Sequence, residues 1–490
     1  MSITKPYDLP CIENLVGGEL LAPAMGGYIE NIEPATGQVY GLTPNSCQKD
    51  LNLAIEAAEK AFSLWANTPA ETKAKILNKL ADLIEQNQNE LAKAEAVDNG
   101  KPITLAKNVD IYRAAANIRF FAQACTQFSS ESHAVENTAI NYTLRQPLGV
   151  VACISPWNLP LYLFTWKIAP ALATGNCVIA KPSEVTPMTA YLFSKLCIEA
   201  GLPAGVLNIL HGSGATIGAD LVKHPKIKAI SFTGGSNTGV AIKQATADQH
   251  KKLSLELGGK NPTLVFADCD FDRTVNEVAR AAFANQGQIC LCGSRIYIEN
   301  NIYKEFTEAL VKKVEELVIG DPLDETTQFG ALVSKQHMHK VLSYIELAKK
   351  EGGEILTGGE QIKLEGRCSD GYFVQPTIIA GLKNNCRTNQ EEIFGPVCTI
   401  QGFGSDEQAL ALANDSKYGL ATSIWSQDIS RCHRLAQQIE TGIVWINCWL
   451  LRDLRTPFGG MKASGSGREG GLEAMRFFTE PKNVCVQFKD

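Results

Sequence analysis

Residues 150–181, VVACISPWNLPLYLFTWKIAPALATGNCVIAK, place a helical stretch between two short apolar segments, Val150–Ile154 and Cys177–Ala180. Both segments have the length and the apolar content of buried strands. Three similar segments follow along the chain: Val206–Leu210, Ala229–Phe232 and Lys252–Leu257. Because strands joined through helices lie parallel in one sheet, this alternation predicts an open α/β domain with helices on both faces.

A second α/β alternation runs from residue 260 to residue 460. Its expected strands lie near Thr263–Phe266, Ser294–Ile298, Val397–Phe403, Ala421–Ile424 and Gly442–Asn447. Its expected helices cover 271–286, 301–318 and 334–351. The chain has 490 residues, which is more than one hydrophobic core accommodates. The pattern therefore predicts two open α/β domains.

The flanking segments show other patterns. Glycine and proline turns divide residues 14–44 into short pieces typical of β-hairpins. From residue 51 to residue 99, apolar residues recur with the period of a helix. One apolar face is expected to consist of Leu53, Ala57, Ala61 and Leu64. Residues 128–147 are polar and contain alternating segments, which predicts an extended segment outside the core. The tail, Lys482–Lys489, has the pattern of a strand with nothing local to pair with, which favours addition to a sheet of another subunit.

The composition excludes several classes of protein. Apolar residues make up 45% and charged residues 20%, unlike disordered, collagen-like or coiled-coil chains. A net charge of −6 without a basic run argues against nucleic-acid binding. Fifteen cysteines without framework spacing, and an N-terminus without an apolar signal segment, favour a cytoplasmic protein. Prolines interrupt the longest apolar stretch, 149–166, so no membrane-spanning helix is expected.

Two glycine-rich turns follow strands of the first domain. The first contains Gly212, Gly214 and Gly218 and is one residue longer than the dinucleotide fingerprint, so its spacing alone is not specific. The second is Thr233-Gly234-Gly235-Ser236-Asn237-Thr238-Gly239, between a strand and a helical stretch. Glycines there let a pyrophosphate approach free backbone N–H groups. A tight turn that uses glycine for geometry alone is the equal alternative.

Lys181 and Glu184 follow the strand Cys177–Ala180, at the strand end where open α/β sheets bind ligands. Both side chains are suited to hydrogen bonds with ribose hydroxyls. A carboxylate at this place repels a 2′-phosphate, which favours NAD over NADP. The alternative is a surface loop before a helix that is capped by Ser183 or Thr186.

Three polar residues lie at positions suited to covalent catalysis. Cys290 follows a glycine-interrupted helix, although most cysteines of such a chain are buried structural thiols. Glu256 lies in an apolar strand, where burial raises the pKa of a carboxyl group toward that of a general base; an exposed edge-strand residue is the alternative. Asn158, between two prolines, is an oxyanion donor or a turn residue. No metal is expected at Cys290 and Cys292, because zinc requires about four ligands.

Taken together, these segments resemble the aldehyde dehydrogenase superfamily. The matching segments, in chain order, are SPWNLP, WK, ALATGNCVIAKPSE, SFTGGSNTG, LELGGKNP, NQGQIC, EEIFGPV and PFGGMKASGSGREGG. The resemblance covers nearly the whole chain and implies that Cys290 is the nucleophile, Glu256 the base and Asn158 an oxyanion donor. The residues that it assigns to NAD are Ser155, Trp157, Lys181, Ser183, Glu184, Gly214, Gly218, Phe232, Gly234, Gly235, Gly239, Leu257, Glu392 and Phe394.

The reaction implied by this resemblance is the NAD-dependent oxidation of an aldehyde to a carboxylic acid. The Cys290 thiolate adds to the aldehyde carbon, while the Asn158 side chain and the Cys290 backbone N–H stabilise the oxyanion. Hydride then passes to the nicotinamide. Glu256 activates the water that hydrolyses the thioester, so hydrolysis is expected rather than transfer to coenzyme A.

One departure from the commonest family pattern concerns the substrate pocket. Many relatives have an aromatic residue where Arg452 falls, and an arginine there suits a carboxylate. Arg113 is favoured over Arg119 for a second contact, and Leu159 and Trp166 are assigned to the pocket wall. A surface ion pair with a nearby acid is the alternative for Arg452.

The segments NCWLLRDL and QICLCGSR resemble the 2-aminomuconic and 2-hydroxymuconic semialdehyde dehydrogenases. Those enzymes oxidise an unsaturated semialdehyde that already carries a carboxylate. A broad aliphatic or betaine-type aldehyde dehydrogenase is a second interpretation, although Arg452 disfavours an aromatic box for betaine aldehyde. A catalytically silent structural or binding protein is a third, and the intact set of Cys290, Glu256 and Asn158 argues against it.

The resemblance also implies a domain layout. Residues 1–128 and 148–258 form the NAD-binding domain, residues 259–460 the catalytic domain, and residues 129–147 and 479–490 a small β oligomerisation element. Homodimers or homotetramers are expected, paired through the C-terminal strand. The expected ligand is a small aldehyde, and no nucleic acid, membrane or metal is expected as a partner.

Overall fold

Two large β-sheets form the framework of the computed structural model, which describes residues 9–488. The strands are β1 (Asn14–Val16), β2 (Glu19–Leu21), β3 (Tyr28–Glu33), β4 (Gln38–Pro44), β5 (Ser132–Val135), β6 (Ala139–Pro147), β7 (Val150–Ile154), β8 (Cys177–Lys181), β9 (Leu207–Ile209), β10 (Ile227–Thr233), β11 (Lys252–Glu256), β12 (Asn261–Val265), β13 (Gly293–Glu299), β14 (Glu354–Thr357), β15 (Gln361–Ile362), β16 (Phe373–Val374), β17 (Thr377–Ala380), β18 (Val397–Phe403), β19 (Tyr418–Gly419), β20 (Ala421–Trp425), β21 (Ile443–Ile446), β22 (Met461–Lys462), β23 (Gly465–Ser466) and β24 (Thr479–Gln487).

The helices cover the sheets and connect their strands. They are α1 (Gln48–Asn67), α2 (Ala70–Gln86), α3 (Gln88–Asn99), α4 (Ile103–Leu105), α5 (Tyr112–Ala124), α6 (Pro160–Ala173), α7 (Met188–Ala200), α8 (Ala219–Lys223), α9 (Ser236–Ala245), α10 (Phe271–Phe283), α11 (Tyr303–Glu315), α12 (Lys335–Lys350), α13 (Arg387–Gln390), α14 (Asp406–Asn414), α15 (Ile429–Gln438) and α16 (Gly471–Phe477). A π-helical turn, Ala106–Ile111, joins α4 to α5.

The first sheet has eight strands in the order β2-β1-β9-β8-β7-β10-β11-β23. Its central strands, from β9 to β11 in this order, are parallel, as the sequence alternation predicts. β1 and β23 close the parallel block as antiparallel neighbours on its two sides. Val150 pairs with Cys177, and Ile154 pairs with Lys181. The carboxyl ends of these strands therefore lie at one edge, together with the glycine-rich turns.

The second sheet has seven strands in the order β14-β17-β18-β13-β12-β20-β21. All neighbours are parallel except β14, which pairs antiparallel with β17. The five strands expected in this half are present. The sequence pattern did not indicate β14 and β17, because each has only four residues. The prediction of two open α/β sheets is confirmed.

The C-terminal strand has no local partner, as expected, but it pairs with a distant segment of its own chain, and its role in pairing subunits stays a prediction. β24 pairs antiparallel with β6 from Thr479–Pro147 to Gln487–Ala139, and β5 completes a three-stranded sheet. The two segments are far apart in sequence, so no local pattern indicates the pairing. The part of the expected strand at Lys489, like residue 490 of the expected element, lies outside the described residues.

Helix α1 presents a different face to the core than the one expected. Leu53 is 46% exposed and Leu64 is 70% exposed. The buried residues on the core side are instead Leu51, Ala54, Ile55, Ala58 and Trp65. The indole N–H of Trp65 donates a hydrogen bond of 3.1 Å to the Leu172 carbonyl. Helix α1 has apolar residues on more than one face, so its sequence allows either face to be buried. The contact of Trp65 with Leu172 fits the face that is observed in the core.

Helix α6 is buried at every position and packs against α5 and the first sheet. Packing inside the protein therefore accounts for the long apolar stretch around residues 149–166. Within residues 9–488, no helix has the length and apolar character required to cross a membrane.

Candidate active site

A cavity of about 260 Å³ lies at the carboxyl edge of the first sheet. Open α/β sheets bind ligands at this edge. The expected site residues in its wall are Trp157, Asn158, Gly234, Gly235, Leu257, Cys290, Glu392 and Phe394. They come from turns after β7, β10 and β11 and from two loops of the second α/β half, so the cavity joins both halves of the chain.

Cys290 lies in a loop with an unusual backbone. After α10, Asn285 and Gln286 adopt left-handed conformations with φ of 52° and 56°. Gly287 follows with φ 67°, and a Cβ there would lie 2.1 Å from the Gly395 carbonyl oxygen. The side chain of Asn261 donates a hydrogen bond of 2.7 Å to the Cys290 carbonyl. These contacts hold the loop so that Cys290 lines the cavity.

The surroundings of Cys290 favour the protonated form of its thiol. Burial raises its pKa, and the nearby carboxylates of Glu392 and Glu256 raise it further. The guanidinium of Arg452 acts in the opposite direction. A nucleophilic thiolate at this position therefore requires additional positive charge when the ligands bind.

Asn158 follows β7 and is buried beside Cys290 in the cavity wall. Its side-chain amide donates a hydrogen bond of 2.9 Å to the Gln288 carbonyl. A primary amide carries two N–H donors, so this bond leaves one for a ligand. Asn158 and the cysteine loop are thus joined directly.

Glu256 ends β11 and is fully enclosed. Its Oε1 has no hydrogen-bond partner among the described residues. Burial raises the pKa of its carboxyl group well above the usual value, and the carboxylate of Glu469 adds to this effect. Lys167 forms an ion pair of 2.6 Å with Glu469 and partly offsets it. The exposed edge position considered as an alternative for Glu256 is therefore wrong.

The turn before α9 presents bare backbone to the cavity. A Cβ at Gly235 would meet no atom within 4 Å, whereas a Cβ at Gly234 would lie 2.4 Å from the ring of Phe232. No side chain caps the N-terminus of α9, and Thr233 Oγ1 is buried without a partner. Unsatisfied donors at a helix N-terminus beside open space fit the pyrophosphate of a dinucleotide.

Lys181 and Glu184 meet the first glycine turn beside this cavity. The Lys181 ammonium lies 3.1 Å from Glu184 Oε2, and the Gly214 backbone N–H donates to Glu184 Oε1 at 3.0 Å. Gly218 lies against the aliphatic part of Lys181. Ser183 accepts a hydrogen bond from the Val185 N–H and does not cap α7.

Three expected cofactor residues lie behind the cavity wall. Ser155 and Phe232 are buried at the ends of β7 and β10. Gly239 lies in α9, where a Cβ would come within 2.6 Å of Leu257 Cδ2. Glycine at this position allows α9 to approach Leu257, which itself lines the cavity.

Arg452 lies among aromatic side chains. Its guanidinium donates a hydrogen bond of 2.7 Å to the Tyr162 hydroxyl. Its centre lies 3.9 Å from the ring centroid of Phe458 and 4.9 Å from that of Trp166. Leu159 is buried at the start of α6, the helix that also carries Tyr162 and Trp166. Across residues 9–488, no carboxylate forms an ion pair with Arg452, so the surface ion pair considered for it is not found.

The sequence profile named "Aldehyde dehydrogenase family" matches residues 22–484. This chain belongs to the aldehyde dehydrogenase family. It is 46% identical to the 2-aminomuconic semialdehyde dehydrogenase of Mus musculus, over 98% of this chain and 99% of that protein. It is 45% identical to the 2-hydroxymuconic semialdehyde dehydrogenase of Pseudomonas sp. (strain CF600), over 97% of this chain and 99% of that protein.

A solved structure extends the comparison. The NAD+ complex of an aldehyde dehydrogenase from Bacillus cereus has a TM-score of 0.95, 38% identity and full coverage of both chains (100% and 100%). The predictions of the superfamily, the α/β fold, an aldehyde-oxidising enzyme and NAD as cofactor are confirmed. In this aldehyde dehydrogenase, the turn before α9 and the pair Lys181–Glu184 offer backbone donors and charged side chains suited to a dinucleotide.

Two side chains of α12 were not expected in the cavity wall of this aldehyde dehydrogenase. His337 and Lys340 reach it from α12. His337 Nε2 lies 2.7 Å from the Phe394 carbonyl, and Lys340 donates to the Glu392 carbonyl at 3.2 Å. Burial lowers the pKa of His337 to about 4, so its ring is neutral. Their helix has an ordinary amphipathic pattern, and only the long-range packing of α12 brings them to the site.

The two arginines considered for a second substrate contact have different surroundings. Arg119 lies 2.9 Å from Asp82 and 2.8 Å from Glu85, both on α2. Arg113, on the same helix α5, is half-buried and has no ion pair with any carboxylate of the described part of the chain. Arg113 is therefore the free guanidinium of the two, and its substrate contact stays a prediction.

Proposed function

We propose that this aldehyde dehydrogenase oxidises a semialdehyde that carries a carboxylate, of the 2-aminomuconic or 2-hydroxymuconic type, to the dicarboxylate. One observation supports this substrate class. Arg452 is a half-buried cation that is held by three aromatic rings and lacks a carboxylate partner within residues 9–488. Its charge acts on the pKa values of both Cys290 and Glu256. A substrate carboxylate supplies the counter-ion next to the reacting groups.

The names of the relatives support the same proposal. The mouse and Pseudomonas relatives are named for 2-aminomuconic and 2-hydroxymuconic semialdehyde. Both names describe aldehydes with a carboxylate at the other end of an unsaturated chain. The half-buried guanidinium of Arg452 would gain no counter-ion from an uncharged aliphatic aldehyde, which disfavours a broad aliphatic enzyme.

In the proposed first step, the Cys290 thiol loses its proton to water, and the resulting thiolate sulfur forms a bond to the aldehyde carbon. The electron pair of the carbonyl moves to oxygen, and the free N–H of Asn158 and the Cys290 backbone N–H stabilise the oxyanion. NAD, which the turn before α9 and the pair Lys181–Glu184 would hold, would act as the acceptor of the hydride that leaves this carbon when the C=O bond forms again. The product of these events is a thioester on Cys290.

Glu256 completes the reaction by hydrolysis. Its carboxylate accepts a proton from water while the water oxygen adds to the thioester carbon. The C–S bond breaks, and the carboxylic acid leaves. The enclosed position of Glu256 and the raised pKa of its carboxyl group suit this role near neutral pH.

The test is NADH production with 2-hydroxymuconic semialdehyde and with hexanal, for the wild type, Arg452→Ala and Cys290→Ala. Arg452→Ala is expected to lose about 2–4 kcal/mol of transition-state stabilisation with the carboxylate substrate, or roughly 30- to 1000-fold in kcat/KM. Cys290→Ala is expected to abolish both activities. Arg455→Ala is the matched control, because Arg455 is exposed and pairs with Asp453. Wild-type kcat/KM for the semialdehyde in Arg452→Ala would contradict the substrate class.

We also propose that the enzyme forms homodimers or homotetramers in the cytoplasm. One face of the β5–β6–β24 sheet exposes the apolar side chains of Ile140, Tyr142, Leu144 and Val486. Such a face favours burial against another subunit. All fifteen cysteines are free thiols, which fits a reducing compartment. Light scattering of the wild type and of Leu144→Lys tests the assembly: a monomeric wild type would contradict it.

A further inference from the structure

Asn158 is held through its backbone carbonyl as well as through its side chain. The carbonyl oxygen accepts a hydrogen bond of 2.9 Å from the Lys101 ammonium and another of 2.9 Å from the Asn285 amide. One donor comes from the turn after α3, and the other comes from the loop that carries Cys290. The same carbonyl therefore connects both sides of the site.

Lys101 is itself fixed by buried carboxyl groups. Its ammonium lies 3.0 Å from Asp110 Oδ2 and 3.8 Å from Glu95 Oε1, and all three side chains are 0% exposed. Burial raises the pKa of Glu95 to about 8, and the charge of Asp110 contributes. Burial also raises the pKa of Asp110, whereas the nearby Lys101 ammonium lowers it.

The residues next to Lys101 contact the same two loops. The side chain of Asn99 donates to the Trp157 carbonyl at 2.8 Å, and that of Gln286 donates to the Gly100 carbonyl at 3.2 Å. The segment Asn99–Lys101 thus lies between the turn of Asn158 and the loop of Cys290. No part of this segment lines the cavity.

We propose that Lys101 is a positioning residue: held by Asp110, it fixes the backbone of Asn158 so that the side-chain amide of Asn158 meets the oxyanion formed at Cys290. This inference rests on the proposed role of Asn158. The physical reason is that an oxyanion donor stabilises the transition state only when its N–H is already aimed at the oxygen. A charged donor in a dry interior is well suited to fix one carbonyl.

The test compares Lys101→Met with Asn158→Ala and the wild type in single-turnover NADH formation. Lys101→Met is expected to slow hydride transfer about 10- to 100-fold, because small displacements of catalytic groups have effects of this size. The KM for the aldehyde and the Kd for NAD are expected to change less than about twofold, since Lys101 itself does not line the cavity. Lys73→Met is the matched control, because Lys73 is also buried but lies over Trp65.

Alkylation of Cys290 by iodoacetamide separates positioning from general damage. This displacement forms no oxyanion, so it does not need Asn158. Its rate in Lys101→Met is expected to match the wild type. A loss of alkylation in parallel with hydride transfer would overturn the proposal, because the whole loop would then be disturbed.

The double variant Lys101→Met/Asp110→Asn removes the buried charge that the single variant leaves unpaired. It is expected to stay slow in hydride transfer while regaining thermal stability. Recovery of the wild-type rate would overturn the proposal. If Asn158→Ala kept the wild-type rate, the assumed role of Asn158 itself would be wrong; if only Lys101→Met kept it, the positioning role alone would be wrong.

Discussion

The ammonium of Lys167 lies 2.6 Å from Glu469 Oε1, and this buried ion pair acts on the carboxyl group of Glu256. Ser231 donates a second hydrogen bond of 3.0 Å to the same oxygen of Glu469. The lysine favours the ionised form of Glu256, whereas Glu469 opposes it. Burial is the main cause of the raised pKa of Glu256, and the pair adjusts the pH range in which Glu256 can accept a proton.

Replacing Glu469 by glutamine is expected to move the acidic limb of the kcat–pH profile to lower pH. A general base works only when ionised, so its rate rises as the pH passes the raised pKa of Glu256. Glu469→Gln removes a like charge and frees the charge of Lys167, and both changes lower that pKa. Glu473→Gln is the control, because Glu473 pairs with Arg476 at the surface. An unmoved limb in Glu469→Gln would show that Glu256 does not limit the rate.

Tyr162→Phe is expected to lower kcat/KM for a substrate that carries a carboxylate. The variant removes the hydroxyl that accepts the 2.7 Å hydrogen bond from Arg452 but keeps the ring. The expected loss is about 1–2 kcal/mol, or roughly 5- to 30-fold in kcat/KM for the semialdehyde. Hexanal turnover should change little. Tyr191→Phe is the control, since its hydroxyl contacts Glu13 instead. Equal losses with both aldehydes would indicate a structural defect.

Gly239→Ala is expected to impair NAD binding by displacing Leu257. The new methyl group would lie 2.6 Å from Leu257 Cδ2, so α9 or the leucine must shift, at a cost of about 1–3 kcal/mol in folding free energy. Gly235→Ala meets no atom within 4 Å and should retain its stability. Thermal unfolding and NAD titration of both variants provide the measurements. A Gly239→Ala protein with unchanged stability would refute the close packing of α9.

Two leucines of α1 test the observed rotation of that helix. Leu51→Ala removes a fully buried side chain and is expected to lower the free energy of unfolding by about 2–5 kcal/mol. Leu53→Ala, at a position that is 46% exposed, should change it by no more than about 0.5 kcal/mol. Urea unfolding midpoints of the two variants give the comparison. The reverse order would support the face that the sequence period alone suggested.

Short-range patterns predicted much of this enzyme. The alternation of apolar segments located the central strands of both sheets, because buried strands need apolar residues at every position. The segments around Asn158, Glu256 and Cys290 also identified residues that share one cavity or lie beside it. Each of these features depends on a few consecutive residues, so a single sequence reveals it.

Contacts between distant segments were beyond such patterns. Residues far away in the chain decide three features of the structure. These are the pairing of β24 with β6, the burial of Leu51 rather than Leu53, and the position of His337 in the cavity wall.

The sequence by itself therefore determined the α/β class through its local hydrophobic period, and its resemblance to a known family indicated the chemical groups of the site. Only the tertiary structure decided which arginine stays unpaired: Arg119 meets Asp82 and Glu85 on a neighbouring helix, and Arg113 does not. Ion pairing and packing depend on three-dimensional distance, which one sequence does not contain.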